Sequence, residues 1–412
     1  MSALRTSALH RRRPRLRAAA LLLTALLVAS CGDDSSPAPS QTKADGRGDG
    51  CVTDFSPDKD YFPVKSTVRH AKNFSVRYEK SYQVLTVAQP YPNAKPESYV
   101  LVKCGAPKPS LTGDLAKAQQ ITVPVHSLYS MSTTHLPLLT ATDRLGVLTG
   151  VADTSLVTTP EVRARVKAGK VAEYAKGGTI NTEKVIAARP DVLLTQGSDD
   201  PHYPKLRAAG IPVVADAEWL EPTPLGRAEW VKATAALTGA EERADRVFHD
   251  VETAYTEAAR QAAQARTPVG VLSGSMFQGT WTMAAGGSYV GTLIKDAGGT
   301  YPWAGDRGTG SLRLSFEAVY AKAGDARLWL TDQKWTSGAD ILKADSRYGR
   351  LAAVRDGEVW SNTKTTTPEG GNDFYERGVL RPDLILSDMA AILHPDLARN
   401  HTFTFYEKVP TK

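Results

Sequence analysis

Two glutamates recur at matched places in the two halves of the chain. The stretches Glu183-Lys-Val-Ile-Ala-Ala-Arg-Pro190-Asp191-Val-Leu-Leu194 and Glu317-Ala-Val-Tyr-Ala-Lys-Ala-Gly324-Asp325-Ala-Arg-Leu328 share Glu, Val, Ala, a helix breaker, Asp and Leu at identical offsets, 134 residues apart. Each reads as a short helix, a turn and a buried strand. Asn181 and Ser315 stand two residues before each Glu, where they cap such a helix. A carboxylate in a first helical turn is favoured by the helix macrodipole whatever its use. Left exposed, it can also accept paired hydrogen bonds from an arginine. One acid per half would then fix the orientation of a partner as well as its affinity.

Other chemistry is thinner. The eight histidines form no His-Glu-x-x-His pair and no His-rich loop. His126, His135 and His202 could converge in the first half, but no metal site is expected. No phosphate loop of the Gly-x-x-x-x-Gly-Lys-Ser/Thr type is present, so any ATP hydrolysis belongs to a partner. There is no Gly-x-Ser-x-Gly elbow, and the His and Asp residues are too scattered for a triad. No catalytic residue and no resident cofactor are expected.

The 412 residues exceed what one ordinary domain needs. At 42% hydrophobic and 23% charged, the composition is that of a globular protein. The formal charge of +6 comes from six arginines, Arg5, Arg11, Arg12, Arg13, Arg15 and Arg17, in an N-terminal stretch without acids. Without them the charge is about zero, which removes the basic footprint of a nucleic-acid binder. Residues 1–17 are basic and 18–30 apolar, too short a run for the roughly 20 residues of a membrane span. The pattern is that of a secretory signal. Its end, Leu27-Val28-Ala29-Ser30-Cys31, resembles a bacterial lipobox, which implies a lipid on Cys31 and anchoring at the extracytoplasmic face of the cell membrane. Residues 31–50 lack apolar bulk and read as a flexible tether. Cys51 and Cys104 remain, and an oxidising compartment favours a disulfide between them over two buried free thiols.

The elements that would position the glutamates follow from periodicity. Residues 74–88 alternate about a polar centre as a β-hairpin, and Tyr99–Cys104 reads as a further strand of a β-rich extension over about 51–110. From about 120 the strand-like runs 121–125, 145–151, 191–195 and 211–215 alternate with helices, which implies a mainly parallel sheet. Residues 239–266 have no internal Gly or Pro after Gly239, and Val247, Phe248, Val251, Tyr255 and Ala258 share one helical face. Such a helix of about 25 residues is some 37 Å long and can cross between two lobes. After Pro268 the texture resumes, with strands at 269–273, 326–331 and 357–361 and helices at 290–297 and 383–393. The expected fold is two α/β lobes with mainly parallel sheets, joined by a single long helix and preceded by a β-rich extension. The divisions are 1–30 signal, 31–50 tether, 51–238 first lobe, 239–266 linker helix and 267–412 second lobe.

Four markers in order, Asn181-Thr-Glu183 with Arg189-Pro190-Asp191, Pro224-Leu-Gly-Arg-Ala-Glu-Trp230, Leu314-Ser-Phe-Glu317, and Arg381-Pro-Asp-Leu-Ile-Leu-Ser-Asp388 running to His394-Pro395, resemble the periplasmic binding proteins of bacterial ABC importers. The likeness is to the ferric-siderophore and cobalamin class and spans about 120–400. It implies a ligand held between two lobes and delivery to an ABC permease and its ATPase. Residue by residue, it implies that Glu183 and Glu317 dock on permease arginines. The ligand it implies is a small-molecule metal chelate, a ferric siderophore ahead of cobalamin or haem. A secreted enzyme or a sensor on the same lobes is the reading from another class. Loops at the carboxyl ends of strands should line the cleft. In the first lobe these are Tyr129, Ser130, Met131, Ser132, Thr133 and Thr134, with Gly177 and Gly178. In the second they are Phe277, Trp281, Tyr289, Trp303, Arg307, Trp335, Asn372 and Tyr375.

Overall fold

The computed structural model describes residues 50–411. The signal, Cys31 and the tether up to residue 49 lie outside the described residues. The extension folds as expected into a hairpin, β1 (Phe74–Tyr78) against β2 (Tyr82–Val87), followed by β3 (Glu97–Lys103). One expectation is corrected here. The run at 121–125 does not open the α/β sheet. It forms β4 (Gln119–Val123), which pairs in parallel with β3 and completes a four-stranded extension sheet. Pairing with β3 keeps Ile121 and Val123 on the same buried surface as Tyr99 and Leu101. Cys51 is joined to Cys104, just past β3, by a disulfide.

The first-lobe sheet is entirely parallel. Its order is β7 (Ala172–Glu173), β6 (Leu148–Val151), β5 (Leu128–Ser130), β8 (Val192–Leu194) and β9 (Val213–Val214). The extension is not a separate domain, because Leu85, Val87 and Tyr99 share one apolar core with Leu128, Leu148, Val192 and Trp230. The second lobe is built on β10 (Val269–Ser273), β13 (Gly299–Thr300), β15 (Leu328–Thr331) and β16 (Val359–Ser361), all parallel, with β17 (Glu407–Lys408) antiparallel at the edge. A small antiparallel sheet of β11 (Ser275–Phe277), β12 (Thr280–Ala284) and β14 (Ser311–Leu314) rises from the end of β10.

The long helix runs Glu241–Ala262, 22 residues or about 33 Å, shorter than the 239–266 expected. Gly239 takes the left-handed conformation (φ 65°) that ends the preceding helix, so the new one starts after it. Phe248, Val251 and Tyr255 are buried in the second-lobe core, as their spacing requires, with Val247 and Ala258 packed beside them. At the same time the Phe248 ring lies 5.6 Å from His70 of the extension and 4.5 Å from the Lys232 ammonium. The helix therefore touches both sides of the junction.

Buried carboxylates tie the extension down. Glu229, fully buried, accepts from the backbone N–H groups of Arg69, His70 and Ala71 and from the Lys232 ammonium at 2.8 Å. Glu221 accepts from Lys72 N, Asn73 N and the Trp230 indole. Burial pushes the Glu229 carboxyl up, but Lys232 and the amides of Ala71 and Arg69 outweigh it and hold the group below the usual carboxylate range. A carboxyl whose folded pKa is depressed stabilises the fold above its unfolded pKa, and that contribution disappears as pH falls through the folded value. Glu229→Ala should destabilise the protein by about 3–5 kcal/mol at pH 7, because it strands a buried ammonium and three amides. Urea denaturation should show the gap between wild type and variant shrinking below about pH 4. A gap independent of pH would mean that packing, not charge, carries the effect.

Candidate functional site

A cavity of about 570 Å³ lies between the lobes, at the carboxyl ends of the strands of both sheets. Open parallel sheets bind ligands at this end because the loops there are free of the sheet's own hydrogen bonding. The first lobe contributes Ser132 and Thr134 after β5, Gln196 after β8 and Glu218 and Trp219 after β9. The second contributes Thr282 on β12, Tyr289, Asp332 after β15, Asn362 after β16, Tyr375 and Tyr406. Gly274, at the turn from β10 into the small sheet, has φ +80°, and a Cβ there would meet the Thr282 carbonyl at 2.1 Å. Only glycine lets the wall close at that point.

Trp219 and Tyr375 face this space from opposite lobes, 42% and 41% exposed. The Trp219 indole donates to the Gln196 carbonyl at 3.0 Å, which fixes its ring. Beneath them lies a buried ion pair. Arg227 gives Nε and Nη2 to one oxygen of Glu218, at 2.8 and 2.7 Å, and the Tyr289 ring sits 4.1 Å from the guanidinium carbon. Burial pushes the Tyr375 hydroxyl well above the ordinary tyrosine range, with Tyr289 and Asp332 adding to the shift, so it stays protonated as a hydrogen-bond donor. A side chamber of about 150 Å³ shares Ser132 and Gln196 with the main cavity and adds Thr133 and Met131.

The expected site residues divide sharply. Ser132, Tyr289 and Tyr375 line the main cavity and Thr133 the side chamber. Tyr129 does not: its ring stacks on Tyr174 at 4.9 Å over the bare backbone of Gly150, inside the lobe. Trp281 is corrected too. It is fully buried, donates to the Ser273 carbonyl at 2.9 Å and packs on Trp329 and Tyr348. Trp335 lies against the same aromatic cluster, and Trp303 against Tyr301. Arg307 is exposed in a loop outside the wall, as are Gly177 and Gly178 in theirs, and Phe277 is 71% exposed at a hairpin turn. Asn372 is spent as a helix cap, accepting from Phe374 N at 2.9 Å, and reaches the wall only through Asn362.

His126, His135 and His202 do not converge. The backbone at His126 bonds to Asp191, and the His202 ring bonds to Asp200. His135 is buried, which drives its pKa down to about 3, and it contacts the Ser130 hydroxyl at 2.7 Å. Ser130 donates to the Ser132 carbonyl and is itself buried, and the His135 Nε2 lies 3.7 Å from the buried Asp216 carboxylate. Among the described residues no group of three His, Cys, Asp or Glu could hold a metal. Sequence reasoning missed Trp219, Glu218, Gln196, Arg227 and Asp332. The signal for Trp219 was its place just beyond the run 211–215, and Arg227 stood inside a marker read only for family likeness.

The paired glutamates sit as their echo implies. Glu183 is in the first turn of the helix Thr182–Ala188, capped by Asn181, and Glu317 in that of Phe316–Ala323, capped by Ser315. Their side chains are 79% and 70% exposed. Each has a cation beside it: Lys205 Nζ at 2.7 Å from Glu183, and Arg347 Nη1 at 3.0 Å from Glu317, an arginine shared with Asp345. The hydrogen bond from Lys205 and its charge lower the Glu183 pKa.

Residues 127–364 match the family model described as periplasmic binding protein. An uncharacterized lipoprotein of Methanocaldococcus jannaschii is 28% identical over 298 residues, covering 70% of each chain. A crystal structure of a possible iron-binding (periplasmic solute-binding) protein from Staphylococcus epidermidis aligns with a TM-score of 0.53 at 16% identity, covering 66% of this chain and 99% of that one. A periplasmic heme-binding protein from Pseudomonas aeruginosa gives a TM-score of 0.53 at 19% identity, with 70% and 99% covered. At these identities the two structures share the fold.

The lobes also touch directly, beside the cavity. The fully buried carboxylate of Glu376, in the second lobe, accepts from Thr158 N at 2.8 Å, Thr159 N at 2.7 Å and the Thr159 hydroxyl. It thereby satisfies the N-cap amide of the first-lobe helix Pro160–Lys167, whose cap residue Thr159 turns its hydroxyl to Glu376 and not to the helix's own N–H groups. Asp373 accepts from the Thr158 hydroxyl, and Gly371 packs so close that a Cβ would lie 2.1 Å from the Leu156 carbonyl. Glu376→Ala leaves two amides and a hydroxyl without a partner and should cost about 2–4 kcal/mol, whereas Glu376→Gln keeps one acceptor oxygen, sets its NH2 against the other amide and should cost less than the Ala variant. Hydrogen exchange should speed up at both Thr158 and Thr159 in the Ala variant and at one of them in the Gln variant. Equal protection in both variants would show that the lobes are held elsewhere.

Proposed function

We propose that this chain, which belongs to the periplasmic binding protein family, is the lipid-anchored substrate-binding component of an ABC importer and carries a metal chelate, first of all a ferric siderophore. The observation that carries this reading is the interlobe cavity with Trp219 and Tyr375 held exposed inside it. Large aromatic faces left open to water in a concave site favour a ligand with matching apolar surface. The cavity volume of about 570 Å³ falls within the range of small-molecule sites. Beside the carboxylates of Glu218 and Asp332 its wall offers hydroxyls, amides and rings, and no three metal-ligating side chains gather among the described residues, which suits a metal already enclosed by an organic chelator. The lipoprotein relative supports lipidation of Cys31 and an extracytoplasmic, membrane-anchored location. In this reading 1–30 is the signal, 31–50 the tether, 51–238 and 267–412 the lobes, and 239–266 the linker.

The flat aromatic faces also suit a macrocycle, and the heme-binding structural neighbour makes haem or a corrinoid the second reading. One experiment separates them. The purified mature protein is incubated with iron-depleted culture supernatant and examined by native mass spectrometry and absorption. A bound mass carrying the ferric isotope pattern is expected. A porphyrin or corrinoid spectrum overturns the siderophore, and no bound mass overturns chelate carriage in that medium.

Glu183 and Glu317 are proposed as the permease contacts. Permease arginines would exchange with Lys205 and Arg347 for the same carboxylates, so docking should weaken as salt rises. Glu183→Lys/Glu317→Lys should melt within a few degrees of wild type, bind its ligand unchanged and no longer support uptake, since like charges would then face each other across the interface. The decisive comparison is affinity beside transport on the same double variant. Affinity lost in proportion to transport would move these residues to ligand binding.

A further inference from the structure

Three charged side chains line the interlobe cavity: Glu218, Arg227 and Asp332. They are not equivalent. Arg227 is paired, with two N–H groups on Glu218 at 2.8 and 2.7 Å and one face covered by Tyr289. Those two charges compensate each other. Asp332 is different. Its Oδ1 accepts from the Ser275 hydroxyl at 3.0 Å and from the Gln333 amide at 3.1 Å, while no described residue donates to Oδ2. No cation pairs with it, and the residue is exposed at the cavity wall.

The remaining sources of positive potential are weak. The helix Tyr289–Asp296 begins at the wall, but Ser288 caps it by accepting from Gly291 N. Arg307, Arg313 and Lys334 are near the wall in sequence, and none of them lines it. The lining thus carries one uncompensated negative charge. An anion would meet that charge and find the arginine's charge already paired with Glu218. A cation, or a neutral molecule presenting N–H groups, would find a carboxylate oxygen waiting.

We infer that the cleft selects ligands without net negative charge, neutral or cationic chelates that place an ammonium or amide N–H on Asp332, and that Asp332 is the residue that sets this preference. The inference rests on the proposed binding role of the cleft and adds the charge class of the ligand.

A ligand-free measurement tests it. Trp219 stands in the same cavity, so its fluorescence, taken as the difference between wild type and Trp219→Phe, samples the local potential. At low ionic strength, caesium should quench Trp219 better than iodide once each is scaled to its quenching of N-acetyltryptophanamide. Asp332→Asn, which keeps the shape and the Oδ1 contacts, should reduce that ratio by about twofold. A scaled ratio at or below one, or one that Asp332→Asn leaves unchanged, overturns the inference. Titration with three ferric chelates supplies the second arm: a cationic trihydroxamate with a free ammonium, a neutral trihydroxamate and a trianionic tricatecholate. The cationic chelate should lose several-fold in affinity in Asp332→Asn, and tightest binding by the trianion overturns the inference. If none of the three binds, the chelate reading falls, while the quenching ratio still decides the charge preference.

Discussion

Carboxylates without a full complement of cations, buried and turned onto rows of backbone N–H groups, hold this structure together at its junctions. Glu229 holds residues 69–71, Glu221 residues 72–73, Glu376 residues 158–159 and Asp388 residues 404–406. In each case a segment with no sheet or helix of its own must bring amide groups into the interior, where an unpaired amide is costly. A carboxylate with several acceptor positions satisfies two or three of them at once and is itself compensated for leaving water. The extension, the interlobe contact and the C-terminal segment are all fixed in this way. The cavity walls inherit their positions from these anchors, since Tyr406 and Tyr375 lie on or beside anchored segments.

The site itself follows from a division of labour between the two faces of a strand and between core and loop. β12 shows it: Trp281 and Met283 turn inward to the aromatic core, and Thr282 between them faces the cleft. The second lobe concentrates its large rings, Trp281, Trp329 and Tyr348, in a buried cluster with centroids 4.9–5.8 Å apart. This rigid mass supports strand β12, which carries Thr282, and the loop that carries Asp332. The aromatics left for ligand contact are therefore few, and their exposure is what distinguishes them.

That division explains what the sequence disclosed and what it concealed. Periodicity showed the extension hairpin, the apolar stripe of the long helix and the repeated helix–turn–strand with its glutamate, because each is a local pattern imposed by one buried face. The sheet to which 121–125 belongs was hidden, since parallel pairing with β3 is a choice between two partners of equal apolar character. Tyr129 and Trp281 were misplaced for a related reason: an aromatic on a short strand fits either face, and Gly150 on the neighbouring strand was there to receive the Tyr129 ring. Trp219 and the Arg227–Glu218 pair carried only faint local signals, because their meaning lies in a cavity assembled from segments more than a hundred residues apart. The carboxylate anchors join residues up to 218 positions apart and leave no periodic trace at all.

Two kinds of connection between the lobes bear on how a ligand enters. The long helix resists bending more than a pair of loop strands would, because a bend must break its own ladder of hydrogen bonds. The Glu376 contact adds a second attachment beside the cavity, so rotation about the helix must stretch or break charge-assisted bonds to Thr158 and Thr159. Large lobe closure would be opposed by both. The exposed rings of Trp219 and Tyr375 fit such a framework, because a site that closes little must present its contacts before the ligand arrives. Preorganisation then favours affinity by lowering the ordering cost of binding. It also places selectivity in the fixed wall, in ring faces and in the unpaired oxygen of Asp332, rather than in a closing motion.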